Sequence, residues 1–149
     1  MLHSVGVLLY GHVALFEFGV VHEVFGLDRT DDDVPAFDFR VATPDPDTAL
    51  AVGNGVSIQV SHTLDECRDV DLVVIPGGSI SGDYPVEILD TIRAVVDNGG
   101  RVLTVCSGAL RLATSTTPAV AAQTCATCSR FVLRIAAIAP WPAGTAPCM

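Results

Sequence analysis

Residues 101–113, Arg-Val-Leu-Thr-Val-Cys-Ser-Gly-Ala-Leu-Arg-Leu-Ala, put a cysteine where a short apolar run gives way to a helical pattern. A strand that stops at Cys106 and a helix that begins near Ser107 hold the thiol out at the carboxyl edge of a sheet. The tight turn, which Gly108 helps to admit, is that of a nucleophile elbow. The positive end of the following helix dipole favours the thiolate, the nucleophilic form of cysteine. The plainer alternative is a cysteine that merely packs after a strand. Acyl-type or hydration chemistry at Cys106 needs N–H donors for a developing oxyanion, which the Gly77-Gly78 turn and the N–H of Ser107 could supply. The same glycines could instead only close a strand-to-loop turn. Glu17 interrupts the apolar Leu15-Phe16-Glu17-Phe18. A carboxylate on the core-facing side of a helix must find a partner, and the thiol fits, although a solvated helix position is the alternative. The catalytic candidates are therefore Cys106 and Glu17, with Gly77, Gly78 and Ser107 as oxyanion or ligand contacts.

Other chemistry-bearing residues carry less. Cys125-Ala126-Thr127-Cys128 has metal-ligand spacing but neither a second pair nor a neighbouring histidine, so no metal site and no cofactor are expected. His22 lies in an apolar helical stretch and reads as a packed histidine. Asp31-Asp32-Asp33 lacks the spacing and glycine of a calcium loop and reads as a solvated loop.

The elements that must position these residues alternate along the chain. Ser4 to Tyr10 is a continuous apolar strand, and Leu15 to Leu27 follows as a helix with Phe16, Val20, Val24 and Leu27 on one side. Phe37 to Ala42 is a second strand. Leu50 to Val60 alternates around Gly53-Asn54-Gly55 and reads as a hairpin, because Asn-Gly accepts the positive φ of a tight turn. Thr63 to Arg68 is a short helical connector, and Asp71 to Ile75 a buried strand ending in Pro76-Gly77-Gly78. Ile88, Ile92, Val95 and Val96 share a helical face between Pro85 and Gly99-Gly100. Strand Val102 to Val105 leads into Cys106. Strands alternating with helices predict a parallel sheet covered on both faces, with ligands gathering at the carboxyl ends of the strands. That edge carries Tyr10 and Gly11, Gly77 and Gly78, and Cys106.

The 149 residues are enough for one domain with a real core, and the apolar half of the composition argues against disorder. All seventeen acidic residues lie between Glu17 and Asp97, where only Arg29, Arg40, Arg68 and Arg93 oppose them. Such a surface repels phosphate backbones, so direct nucleic-acid binding is not expected. The chain has no lysine, and its longest uncharged run, Leu112 to Ser129, is too rich in Thr and Ser to insert into a membrane. With no visible signal peptide, and five cysteines in irregular spacing, a reducing cytoplasm is the expected compartment.

Leu15-Phe16-Glu17, Glu23-Val24-Phe25-Gly26, Asp71-Leu72-Val73-Val74-Ile75-Pro76-Gly77-Gly78 and Val105-Cys106-Ser107-Gly108-Ala109 together resemble the ThiJ/PfpI superfamily over about residues 4 to 110. The resemblance implies an α/β, flavodoxin-like three-layer sandwich with a mainly parallel sheet, close to class I glutamine amidotransferases. The Cys-Ser-Gly-Ala and Glu-Val-Phe-Gly segments look most like the N-terminal domain of AraC-type transcriptional regulators. They are also similar to isonitrile hydratases. Carried over, Cys106 takes the place of the reactive cysteine and Glu17 that of the acid beside it. If the chain is an enzyme, the resemblance implies a cysteine-dependent hydro-lyase or an amidase-like activity.

The departures shape the expectation as much as the matches do. Protease-like members carry His directly after the cysteine, where this chain has Ser107, and all four histidines precede Cys106. The leucine-rich helix, the Gly-Arg turn, the Thr-His-Trp segment and the helix-turn-helix of the regulator-like branch do not follow. Residues 111–149 are instead an atypical Ala, Thr, Pro, Arg and Cys segment, expected to arise from a reading-frame change or an unrelated fused end. The reading is a ThiJ/PfpI-like domain over 1–110, incomplete at its C-terminus. It would be the sensory or ligand-binding part of an AraC-type regulator without its DNA-binding half. The alternatives are an isonitrile hydratase-like enzyme and an inactive truncated domain. A small-molecule ligand, no membrane partner, and a homo-oligomeric or self-associating state complete the expectation.

Overall fold

The computed structural model describes residues 2–78 and 84–108. Five strands form one parallel sheet in the order β5-β2-β1-β6-β7: β1 Ser4–Leu8, β2 Asp38–Thr43, β5 His62–Thr63, β6 Leu72–Ile75 and β7 Arg101–Thr104. The pairing is in continuous register, from Ser4↔Asp38 to Leu8↔Ala42 on one side of β1 and from Val5↔Leu72 to Val7↔Val74 on the other. The apolar runs of β1 and β6 are what a strand covered on both faces requires, and Val5, Val7, Val73, Val74 and Ile75 are fully buried. The α/β, mainly parallel sheet implied by the sequence is therefore present. The chain steps from β1 outward to β2 and β5, then crosses to β6 and β7 on the far side. The topological switch point lies between the carboxyl ends of β1 and β6, where such sheets open a crevice.

Helix α2, Val86–Asp97, starts after Pro85 and lays Ile88, Thr91, Ile92 and Val95 against one face of the sheet. Full burial of each aliphatic side chain stabilises the fold by about 1.5–3 kcal/mol before the entropy of ordering is subtracted. The other face is covered by α1, Leu15–Val21, by a π-helical turn, His22–Gly26, and by the antiparallel hairpin of β3 Leu50–Gly53 and β4 Val56–Ile58. The hairpin turns where expected, with φ of 52° at Asn54 and 79° at Gly55.

The extent of the first helix is corrected, and its buried side is the one opposite the stripe named from the sequence. It is α-helical only to Val21 and then widens into the π turn. The stripe of Phe16, Val20, Val24 and Leu27 faces outward, with Phe16 79% exposed, whereas Val21 is 2% exposed and Phe18 and Phe25 pack inward beside it. The segment is apolar around most of its circumference, so its periodicity does not choose a face. The choice is made by aromatic contacts. Phe25 meets Phe37 edge-on at 5.5 Å, and His22 meets Phe39 edge-on at 5.6 Å.

The amino ends of the central strands are fastened by Asp71. Its carboxylate accepts the backbone N–H groups of His3 at 2.7 Å and Ser4 at 3.0 Å, while Ser4 Oγ accepts the N–H of Asp71 at 2.9 Å. Those N–H groups hold its pKa below the usual carboxylate value. At the sheet edge, the expected helical connector is a 3-10 turn, Leu64–Cys67, closed by a capping box between Thr63 and Glu66. Glu66 also meets His62 Nδ1 at 3.0 Å. The His62 hydrogen bond, followed by the Thr63 N–H, lowers the Glu66 pKa from 4.5 to about 2. A folded-state value below the unfolded one means that this contribution is present above pH 4.5 and is lost as pH falls toward 2. Glu66→Gln is accordingly expected to be less stable than the parent at neutral pH, with the difference closing by about pH 2. Urea unfolding across that pH series checks it, and a gap independent of pH counts against the assignment.

Candidate functional site

The site is built where β6 and β7 end. After Ile75 the chain runs through Pro76-Gly77-Gly78, and after Thr104 through Val105 to Cys106. Val105 N–H still donates to Ile75 O at 3.0 Å, so the two exits remain side by side. Cys106 then adopts a φ of 56°, a left-handed conformation that costs a non-glycine residue about 1–3 kcal/mol and persists only where the surroundings enforce it. The enforcement is visible. Gly108 N–H donates to Val105 O at 3.2 Å, closing the turn, and Ser107 Oγ donates to Gly78 O at 3.4 Å. A side chain at Gly108 would press on Ile75 O at 2.8 Å, so only glycine lets the turn sit this close to the end of β6. The thiol of Cys106 is exposed.

Four of the five residues singled out from the sequence come together here. A Cβ on Gly77 would lie 3.3 Å from Cys106 Cβ and 3.1 Å from Ser107 Oγ, and one on Gly78 would lie 3.0 Å from the His12 carbonyl. Gly78 also forms an isolated antiparallel bridge with Val13, which links the β6 exit to the β1 exit across the switch point. Glu17 stands half-buried in the first turn of α1, which begins immediately after that bridge. No hydrogen bond among the described residues joins Glu17 to Cys106. The Cys125–Cys128 pair lies outside the described residues, as does the expectation for residues 111–149.

The second described cysteine is of a different kind. Cys67 is fully buried against Gly6, and burial pushes its thiol up from 9.0 to about 11. At neutral pH it is a packing residue. A groove of about 330 Å³ between Phe18, His22, Phe39 and Ile58 contains none of the site residues and lies over the α1 face of the sheet.

One feature of the site escaped the sequence. Tyr84, 5% exposed just before α2, donates its hydroxyl to Gly108 O at 3.1 Å and sets its ring 5.2 Å from that of Tyr10 at the end of β1. An aromatic residue one position before a helix-starting proline carried no signal of this, because its partners are distant in the chain.

The chain is similar to known proteins. The DJ-1/PfpI family matches residues 3–135. The PurQ subunit of phosphoribosylformylglycinamidine synthase from Rhizobium meliloti (strain 1021) is 41% identical over 59 residues, which are 34% of this chain and 26% of that protein. Among solved structures, an AraC family transcriptional regulator from Pseudomonas putida superposes with a TM-score of 0.62 at 19% identity, over 74% of this chain and 60% of its own. Drosophila melanogaster DJ-1beta gives 0.60 at 24% identity, over 76% of this chain and 60% of its own. The chain thus spans about a quarter of the curated relative and three fifths of the structural ones.

Proposed function

The chain belongs to the DJ-1/PfpI family, and from that premise we propose that it is the ligand-sensing domain of an AraC-type transcriptional regulator, with Cys106 at its ligand site. The fold shared with the Pseudomonas putida regulator supports this reading, as do the Glu-Val-Phe-Gly and Cys-Ser-Gly-Ala segments. The observation that carries the site is the left-handed Cys106, held exposed beside Gly77 at the carboxyl edge of the sheet. In this proposal a small molecule enters at the switch point and contacts the thiol. Backbone N–H groups of Gly77, Gly78 and Ser107 meet its polar end, and Glu17 takes the acidic role beside Cys106. A cysteine enzyme of the isonitrile hydratase or amidase kind is the second reading, favoured by the same exposed thiol on a strained turn.

A thermal-shift screen of small metabolites, run on the wild-type chain and on Cys106→Ser, tests the first reading. A ligand at about 100 times its Kd is expected to stabilise the wild type by about 2.7 kcal/mol. Cys106→Ser should lose most of that stabilisation. A stabiliser indifferent to Cys106→Ser overturns the assignment of the site. Isonitrile turnover that disappears in Cys106→Ala decides for the enzyme instead.

A further inference from the structure

We propose that Tyr84 is a positioning residue that sets the reactivity of Cys106. The inference deepens the reading of Cys106 as the functional thiol and rests on it. Cys106 keeps a φ of 56° because the residues on either side of it are fastened. Val105 N–H is tied to Ile75 O before it, and Gly108 N–H is tied to Val105 O after it. The first bond holds the turn to the end of β6 and the second closes it, and both arise from the β6 and β7 exits themselves. Tyr84 reaches the turn from a different part of the chain. Its hydroxyl donates to the Gly108 carbonyl at 3.1 Å, so the last described residue of the turn is gripped through its carbonyl as well as through its N–H.

The phenol is well placed for that work. Tyr84 is 5% exposed, and its ring lies against Tyr10 at 5.2 Å and 53°. Pro85 and helix α2 follow directly, and α2 is anchored by the fully buried Ile88 and Ile92. The hydroxyl is therefore fixed by the core beneath α2 and by the end of β1, not by the turn that it restrains. A buried hydrogen bond with a rigid donor transmits the position of the core to the turn. Without it the Gly108 carbonyl loses its tether, and the left-handed residue two positions earlier is freer to relax toward ordinary backbone angles. That relaxation would move the thiol relative to Gly77 and Ser107, since a Cβ built on Gly77 lies 3.3 Å from Cys106 Cβ and 3.1 Å from Ser107 Oγ.

The test is site-resolved iodoacetamide labelling of the full chain, followed by mass spectrometry across a pH series, for wild type and Tyr84→Phe. Phenylalanine keeps the ring packed on Tyr10 and removes only the hydroxyl. Cys106 labelling at neutral pH is expected to fall about fivefold, the rate equivalent of one hydrogen bond. The midpoint of its pH–rate profile should move as well, while Cys67 labelling stays at its slow wild-type rate. A change in packing alone would alter Cys67 protection and leave the pH profile of Cys106 in place, which overturns the proposal. An unchanged Cys106 rate and profile in Tyr84→Phe overturns it too. If wild-type Cys106 labels no faster than Cys67, the reading of Cys106 as the functional thiol fails instead. Should Tyr84→Phe expose Cys67 by unfolding, site-specific 3-fluorotyrosine at position 84 decides. It makes a stronger donor at nearly the same volume, so Cys106 must label differently from wild type with Cys67 still protected, and no difference overturns the proposal.

Discussion

Val21→Asp is expected to unfold the chain, whereas Phe16→Asp leaves its stability within about 0.5 kcal/mol of wild type. Val21 is 2% exposed and packs with Val5, Val7 and Val74 on the α1 face of the sheet. A carboxylate there has no partner, and it must either be desolvated or push the helix off the sheet, at a cost of several kcal/mol. Phe16, 79% exposed, already stands in water. Its replacement is expected to act between molecules instead, because with Val20, Val24 and Leu27 it makes an exposed apolar surface on α1 and the turn after it, of the kind through which copies associate. Phe16→Asp should shift size-exclusion elution toward the monomer, while Val21→Asp elutes as aggregate. The reverse ranking in urea unfolding would place Phe16, not Val21, against the sheet.

The same helix marks where sequence reading stopped. Strands β1 and β6 were legible because a strand buried on both faces must be continuously apolar, β7 as the short run leading into Cys106, and α2 because proline and a glycine pair bracket a single apolar face. In α1 apolar residues occupy nearly every direction, so the pattern contains no preference, and Phe37 and Phe39, just before and within β2, select the face. The π turn at His22 is a change in hydrogen-bond register that leaves no trace in residue type. Strand β5 is only two residues, His62 and Thr63, at the sheet edge, paired through Ala42↔His62 and Thr43↔Thr63. No run exists there to be read.

The site divides along the same line. Strand-helix alternation puts every strand's carboxyl end on one edge, so Gly77, Gly78, Cys106 and Ser107 could be placed together without knowing any distance. The tight turn at Cys106 was legible through Gly108, which can pass close to the β6 exit, whereas the left-handed φ of Cys106 itself was not. Glu17 could be assigned to the same edge, but a helix orientation decides what its carboxylate meets, and that orientation was the part the sequence left open. Tyr84 was out of reach for the opposite reason. Its ring and hydroxyl answer to Tyr10 and Gly108, and neither relation has a local pattern.

Gly108→Val is expected to cost about 2–3 kcal/mol, the scale of overpacking in a region that cannot yield. A Cβ at this position would sit 2.8 Å from Ile75 O and 3.3 Å from Pro76 O. Both are backbone atoms, and Ile75 O already accepts the Val105 N–H at 3.0 Å. Relief therefore requires the turn to lift away from β6, taking Cys106 with it, so urea stability and Cys106 labelling should fall together. Cys106→Gly separates the two effects. Glycine accepts a φ of 56° without the steric penalty that an L-residue pays there. Relative to Cys106→Ala, which removes the thiol but keeps the strain, Cys106→Gly should gain about 1 kcal/mol. That gain measures the strain the fold sustains to hold a thiol at the sheet edge. Equal stabilities of the glycine and alanine variants would mean that the turn is relaxed, and the case for a purpose-built position at Cys106 would rest on exposure alone.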